Sequence, residues 1–242
     1  MNYAWNWKVF WDLSVEGQPY YVLLASGLMW TVATALSAWG LALVCGSVIG
    51  VMRTLPSRFA RTLGTAYVEI FRNVPLLMQM FLWFFVVPEF LPGKLAAIVK
   101  AADNGPFLTA VCAIGFFMSA RVAEQVRTGI QALPRGQLMA GKALGLSWVQ
   151  VYCHVLLPVA FRIVLPPMTS DFMATIKNTS VAMTIGLMEL TGQARAMQEY
   201  TFQVFEAFTV AAAIYLGLNL LVTWLMRHIE RRVAIPGFIA VR

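Results

Sequence analysis

Four ionisable side chains lie where water is scarce: Arg121, Glu124, Asp171 and Lys177 sit in or beside long apolar stretches. A charge at membrane depth costs several kcal/mol unless it is paired or wetted, so each is a candidate functional group. Arg121 carries a planar fork that matches a carboxylate through two parallel hydrogen bonds. Glu124 follows three residues later on the same helical face, so an internal Arg121–Glu124 pair is the alternative to solute binding. Asp171 and Lys177 are flanked by Pro166 and Pro167 on one side and by Asn178, Thr179 and Ser180 on the other. They either pair with each other at a membrane edge or line a solute path with that polar run. Unwound backbone at membrane depth is tolerated only beside protein or a wet cavity, and transporters place such breaks next to the bound solute.

The elements that position these groups are read from hydropathy. Hydrophobic residues make up 60% of the 242 residues and charged residues 12%, about half the ~25% usual in soluble domains. Between Glu16 and Arg53 no side chain is charged. That stretch exceeds the ~20 apolar residues needed to cross a bilayer. Five spans are predicted, at about 22–52, 70–89, 106–127, 160–186 and 207–227. The expected fold is therefore all-α, a polytopic membrane helix bundle. In the fourth span Pro166 and Pro167 predict an interruption. The alternative reading of 160–186 is two soluble amphipathic helices. The first span carries Thr34, Ala38, Ala42, Gly46 and Gly50 four apart, a small-residue stripe suited to close helix packing in lipid.

Loop charges set the orientation. Segments 53–72, 127–162 and 227–242 hold twelve Lys/Arg and two acidic residues, whereas 1–21, 89–106 and 189–206 hold four and seven. Basic loops stay inside, which places the N-terminus outside and the C-terminus in the cytoplasm. The same rule explains the net charge of +7 without nucleic acid, since no basic block with interleaved aromatics is present. Residues 1–21 form an external segment in which Tyr3, Trp5, Trp7, Phe10 and Trp11 suit a short helix on the membrane surface. Membrane lipid is thus an expected partner. Cys45, Cys112 and Cys153 lack metal-ligand spacing, so neither a metal site nor a disulfide framework is expected. His154 and His228 fall in or near cytoplasmic loops, facing headgroups.

The loop at about 128–158 has the most specific local pattern. A short helix over about 137–144 is predicted to stop at Gly145, where a left-handed backbone is needed. Ser147 then caps a second helix toward Leu157, and Pro158 marks a break before the membrane. Ala140, Gly141 and Ala143 keep the first helix slim. Such an element suits a groove on another protein, although packing on its own bundle gives the same pattern.

In this loop Met139-Ala140-Gly141, then Gly145, then Leu157-Pro158 resemble the cytoplasmic loop of binding-protein-dependent ABC importer permeases. There Glu-Ala-Ala precedes a Gly and a Leu-Pro. Further stretches are similar to the polar-amino-acid (histidine/glutamine/glutamate) branch of that family. They include Glu69-Ile70-Phe71-Arg72-Asn73-Val74-Pro75-Leu76-Leu77, Ala123-Glu124-Gln125-Val126-Arg127, Pro134-Arg135-Gly136-Gln137 and Arg162-Ile163-Val164-Leu165-Pro166-Pro167. Lys177-Asn178-Thr179-Ser180 with Ile185-Gly186 completes the set. The likeness covers roughly 22–235, with 236–242 as a cytoplasmic tail, and runs toward the permeases of glutamate/aspartate importers.

What this resemblance implies is a translocation subunit in a bacterial inner membrane. It would work with a second, homologous but non-identical permease, a dimeric cytoplasmic ATPase and a periplasmic amino-acid-binding protein. Gln137, Met139, Ala140, Gly141, Lys142, Gly145 and Pro158 would couple to the ATPase. The third and fourth spans would line the pocket, with Arg121, Glu124, Asp171, Lys177, Asn178, Thr179 and Ser180 as solute contacts. Two positions depart from the family pattern. Met139 stands where the family has Glu, which moves docking onto shape and onto Lys142 and Arg135. Arg121 stands where an aromatic residue is more common.

No GxxxxGK[ST] phosphate loop occurs, so ATP is expected to be used by the partner ATPase and no cofactor to be bound here. GxSxG and HExxH are likewise missing. The competing classes are a membrane-embedded enzyme, which needs paired acids or a His cluster in the bundle, and a passive channel, which has no use for a coupling loop.

Overall fold

The computed structural model describes residues 3–93 and 104–233. The segment 94–103, the first two residues and the tail 234–242, where the predicted cytoplasmic tail falls, lie outside the described residues. A short 3₁₀ turn, Trp7–Trp11, precedes α1 (Tyr20–Met52). Then come α2 (Arg58–Asn73), α3 (Leu76–Phe90, closing in a π turn and a 3₁₀ turn), α4 (Gly105–Gln131) and α5 (Arg135–Ala143). The long α6 (Trp148–Ile185), α7 (Leu190–Thr201) and α8 (Val204–Val233) complete the chain.

Four of these helices, α1, α4, α6 and α8, are long and apolar enough to span a membrane; the α2–α3 pair makes a fifth if taken as one bent span. All five predicted regions fall on these elements, but the second is corrected. Predicted as one helix over 70–89, it bends by 101° at Val74-Pro75. Pro75 cannot donate into the helix and forces the preceding residue into extended backbone, and Val74 sits at φ −90°, ψ 125°. Residues 70–73 therefore end the amphipathic α2, whose Ser57 Oγ caps the first turn by accepting from Ala60 N.

The expected interruption at Pro166 and Pro167 does not occur. Both lie inside the continuous helical stretch Leu157–Asn178. Prolines persist in membrane helices where surrounding protein re-satisfies the freed carbonyls. Pro158 is likewise no break. It follows a π turn over Tyr152–Leu156, where the hydrogen-bond register already changes and a residue without N–H costs least. Beyond Asn178 the helix tightens into a 3₁₀ turn, Thr179–Ile185, instead of unwinding, and stops at Gly186 with φ +88°. At 38 residues α6 is about 57 Å long, well beyond the ~30 Å hydrocarbon core, so it extends past the bilayer.

The chain divides into two compact units. The first comprises Met1–Ala38, Leu76–Ile114 and Ala174–Leu221; its core joins Val9, Phe10, Tyr20, Leu24, Leu190, Ala194, Met197, Ala207 and Ala211. The predicted surface helix is thus a 3₁₀ turn whose Val9 and Phe10 point inward while Trp7 and Trp11 stay exposed. Fully buried Glu189 is a hub of this unit. It accepts from Tyr215 Oη at 2.7 Å, Thr31 Oγ1 at 3.3 Å and Gly192 N at 2.8 Å, which caps α7 and ties it to α1 and α8. Burial raises its pKa, and those hydrogen bonds oppose the rise.

The second unit comprises Trp39–Pro75, Gly115–Met173 and Val222–Arg242. Here the stripe on α1 meets α4. A Cβ on Gly46 would lie 2.6 Å from Ser119 O and from Val122 Cβ, and one on Gly50 would lie 2.7 Å from Val126 Cβ. In lipid no hydrophobic drive pulls helices together, so this close approach is what holds the pair. Val68 of α2 packs on Ala120 and Ala123 of the same helix, and Tyr67 Oη lies 2.6 Å from Ser119 Oγ.

Candidate functional site

Within the second unit, α2, α4 and α6 enclose a polar cavity of about 380 Å³ lined by Arg72, Phe117, Arg121, Glu124, Gln125 and Asp171. Residues 117, 121, 124 and 125 recur at helical spacing on one face of α4, which is why one helix supplies most of the wall. Arg121 and Asp171 were singled out from sequence as separate charges, and the fold brings them together. Arg121 Nη1 donates to Asp171 Oδ1 at 3.1 Å. The Arg121 side chain stays 50% exposed while that of Asp171 is 10% exposed. One nitrogen of the fork is engaged, and much of the guanidinium faces the cavity.

The alternative internal partner of Arg121, Glu124, is engaged elsewhere. Glu124 turns away from it: Oε2 accepts from Arg53 Nη1 at 2.6 Å, and Oε1 accepts from Arg127 Nη2. Arg127 Nη1 also donates to Gln131 Oε1 at 2.7 Å. Two cations on one carboxylate outcompete a third, because each oxygen already carries a charged hydrogen bond. Asp171 pairs across helices with Arg121 of α4. Lys177, Asn178, Thr179 and Ser180 belong to the other compact unit. Lys177 is exposed, and the hydroxyls of Thr179 and Ser180 donate to the carbonyls of Ile176 and Lys177, each at 2.8 Å.

Sequence reasoning missed Arg72, Phe117 and Gln125 as lining residues and Arg53 as a partner of Glu124. Arg127, three residues from Glu124, carried a local signal. Arg53, 71 residues away, carried none.

In the 128–158 loop the local expectations correspond to defined geometry. The first helix is Arg135–Ala143, starting two residues earlier and ending one earlier than expected, and Gly145 takes φ +79°. Ser147 and Gln150 form a reciprocal capping box at the head of α6. Gly141 is buried 3.0 Å from Val151 (measured from a virtual Cβ), so slimness there serves packing between α5 and α6. Met139 is 66% exposed, and Gln137 and Ala140 share the open side of α5 to differing degrees. Lys142 is exposed. Its Nζ lies 4.6 Å from the Trp148 ring centroid and donates to Leu146 O at 3.4 Å. His154 Nδ1 donates to Gln150 O at 3.0 Å.

Apolar helices of spanning length, a charged cavity within the second unit and a capped helix–Gly–helix loop define a polytopic membrane transport protein. Residues 42–235 match the family described as binding-protein-dependent transport system inner membrane component, and the chain belongs to that family. It is 42% identical to the glutamate/aspartate import permease protein GltJ of Escherichia coli K12, over 98% of both chains. It is 30% identical to the probable glutamine ABC transporter permease protein GlnM of Bacillus subtilis, over 88% of this chain and 94% of that one. Among solved structures, an amino acid ABC transporter crystallised with histidines is similar at TM-score 0.73 and 29% identity, covering 88% of this chain and 95% of that one. The inward-facing MetNI methionine ABC transporter, at TM-score 0.75 and 20% identity over 90% and 99%, shares the fold. The chain is therefore a multi-span inner-membrane permease subunit of an amino-acid ABC importer. It is not an enzyme, and ATP hydrolysis belongs to a separate subunit.

Proposed function

We infer that the solute is an acidic amino acid, glutamate or aspartate, and that Arg121 holds one of its carboxylates during passage. The observation that carries this reading is the half-exposed Arg121 guanidinium in the charged cavity, paired through a single hydrogen bond to Asp171. Arg72 shares the wall and adds positive potential. Glu124 is saturated by Arg53 and Arg127 and acts as a brace behind the site. The 42% identity to a glutamate/aspartate permease supports the same solute class. Lys177, Asn178, Thr179 and Ser180 are proposed contacts at a later stage of passage, in the other unit. The working assembly we propose adds a second, non-identical permease, a dimeric ATPase docked on the 128–158 loop and a periplasmic binding protein, with this chain's N-terminus outside.

Uptake by the reconstituted importer tests the role of Arg121. Arg121→Gln removes a charged hydrogen bond worth about 1.5–3 kcal/mol and should weaken glutamate and aspartate uptake by roughly 10- to 100-fold. Arg121→Lys keeps the charge without the fork and should retain part of the activity. Co-purification of the ATPase subunits with the variant, measured alongside, reports on assembly. Normal glutamate and aspartate uptake by Arg121→Gln would eliminate the assignment.

A further inference from the structure

Within the first compact unit an apolar groove of about 390 Å³ runs along α1 and α8, walled by Trp7, Phe10 and Trp11 on one side and by Leu28, Val210 and Ile214 on the other. We propose that this groove is a binding site for one acyl chain of a membrane phospholipid, in the leaflet on the N-terminal side, with the headgroup phosphate against Lys8.

The wall is a built feature. Tyr3 Oη donates to Glu206 Oε2 at 2.5 Å and the Asn6 amide donates to Glu206 Oε1 at 2.7 Å. Glu206, in the first turn of α8, is fully buried. The aromatic segment is thereby pinned to α8, and buried Val9 and Phe10 anchor it in the core. The groove floor lies on α1 and α8, two helices of spanning length in an inner-membrane protein, so hydrocarbon is the medium that meets it. From Tyr21 to Leu28 the helix rises about 10 Å, a third of the ~30 Å hydrocarbon thickness, which is the depth of the upper part of an acyl chain.

Shape selects the occupant. The groove is narrow and lined by apolar side chains, and a single acyl chain is the slim apolar element that the surrounding hydrocarbon supplies. Charge agrees. Lys8 is exposed on the same turn as Trp7 and Trp11 and is the only basic residue between Tyr3 and Tyr21, where a phosphate needs a cation at the aromatic belt.

The test places the intact importer in nanodiscs of phosphatidylethanolamine and phosphatidylglycerol, doped with phosphatidylcholine bearing a diazirine on its acyl chain, and maps the labelled residues after illumination. Label should concentrate on 25–28 and 210–214, about fourfold above the exposed Val44 and Val48 of the same helix, the ratio that one additional buried CH₂ group gives. Ala25→Trp and Ile214→Trp each fill the groove and should abolish that excess while label at Val44 persists; Ala25 is exposed and tolerates the larger ring. Equal labelling of the groove and Val44 in the unsubstituted protein, or an excess that survives both variants, would overturn the proposal. Label at Val44 with none in the groove would assign the groove to a polypeptide and overturn it equally.

Discussion

Asp171 is the resident partner of Arg121, and a solute carboxylate must compete with it. Its carboxyl makes one 3.1 Å contact to a half-exposed guanidinium, an arrangement that neutralises the arginine without enclosing it. Replacement by Asn keeps the shape and removes the competing charge. Discounted for solvent screening, the lost competition predicts a KM for glutamate and aspartate lower by roughly threefold to tenfold, read from the concentration dependence of uptake. A KM that rises would show instead that Asp171 holds the solute's ammonium. At this scale the sequence revealed which groups matter but not whom they touch. Arg121 and Asp171 stand out as charges in apolar runs, whereas their pairing spans fifty residues and depends on how α4 packs on α6. The spacing of Arg121 and Glu124 suggested a local pair. That pair loses to Arg53, brought in from the end of α1. Local spacing offers candidates, and tertiary proximity of stronger charge partners chooses among them.

Gly145 shows which elements were legible and why. A helix that ends at a left-handed residue advertises itself through glycine, and the residue takes φ +79°. Ser147 announces the next helix because its short polar side chain accepts from the N3 amide, here Gln150. The prolines misled because their cost was weighed for an isolated helix. In α6 the π turn and the surrounding protein absorb it, so Pro158, Pro166 and Pro167 all lie in continuous helix. The 101° bend at Val74-Pro75 differs, since there the proline follows an amphipathic helix with no apolar run to continue. For Gly145→Val, no neighbour lies within 4 Å of the added Cβ, so the effect is backbone strain alone. A β-branched residue in the left-handed region costs about 1–3 kcal/mol, enough to tilt α5 away from α6. The variant should insert normally yet lose most solute uptake per ATP hydrolysed in proteoliposomes. Unaltered coupling would remove the loop from the transport cycle.

At the scale of the whole molecule, one element decides the topology. The four long helices α1, α4, α6 and α8 alone would leave both termini on one side, and the α2–α3 pair must cross to separate them. Leu76–Phe90 is 15 residues, about 22 Å as a helix and short of the ~30 Å core, so length does not settle the matter. We propose that charge decides it: α2 carries Arg58, Arg61 and Arg72, and with the other loops of its set it contributes to twelve basic residues against two acidic ones. The opposite set holds four against seven. Keeping α2 inside and the N-terminus outside satisfies both sets only if the short apolar α3 completes a crossing. Cysteine labelling decides this in spheroplasts, with Cys45, Cys112 and Cys153 replaced and single probes at Val15 or Gly136. Both positions are exposed, and a side chain at Gly136 meets nothing within 4 Å. Val15→Cys should react with a membrane-impermeant maleimide in intact spheroplasts, and Gly136→Cys only after lysis. Three crossings separate the two probes when α3 spans and two when it does not. Reaction of both probes before lysis would therefore leave α3 on one face of the membrane and reduce the bundle to four spans.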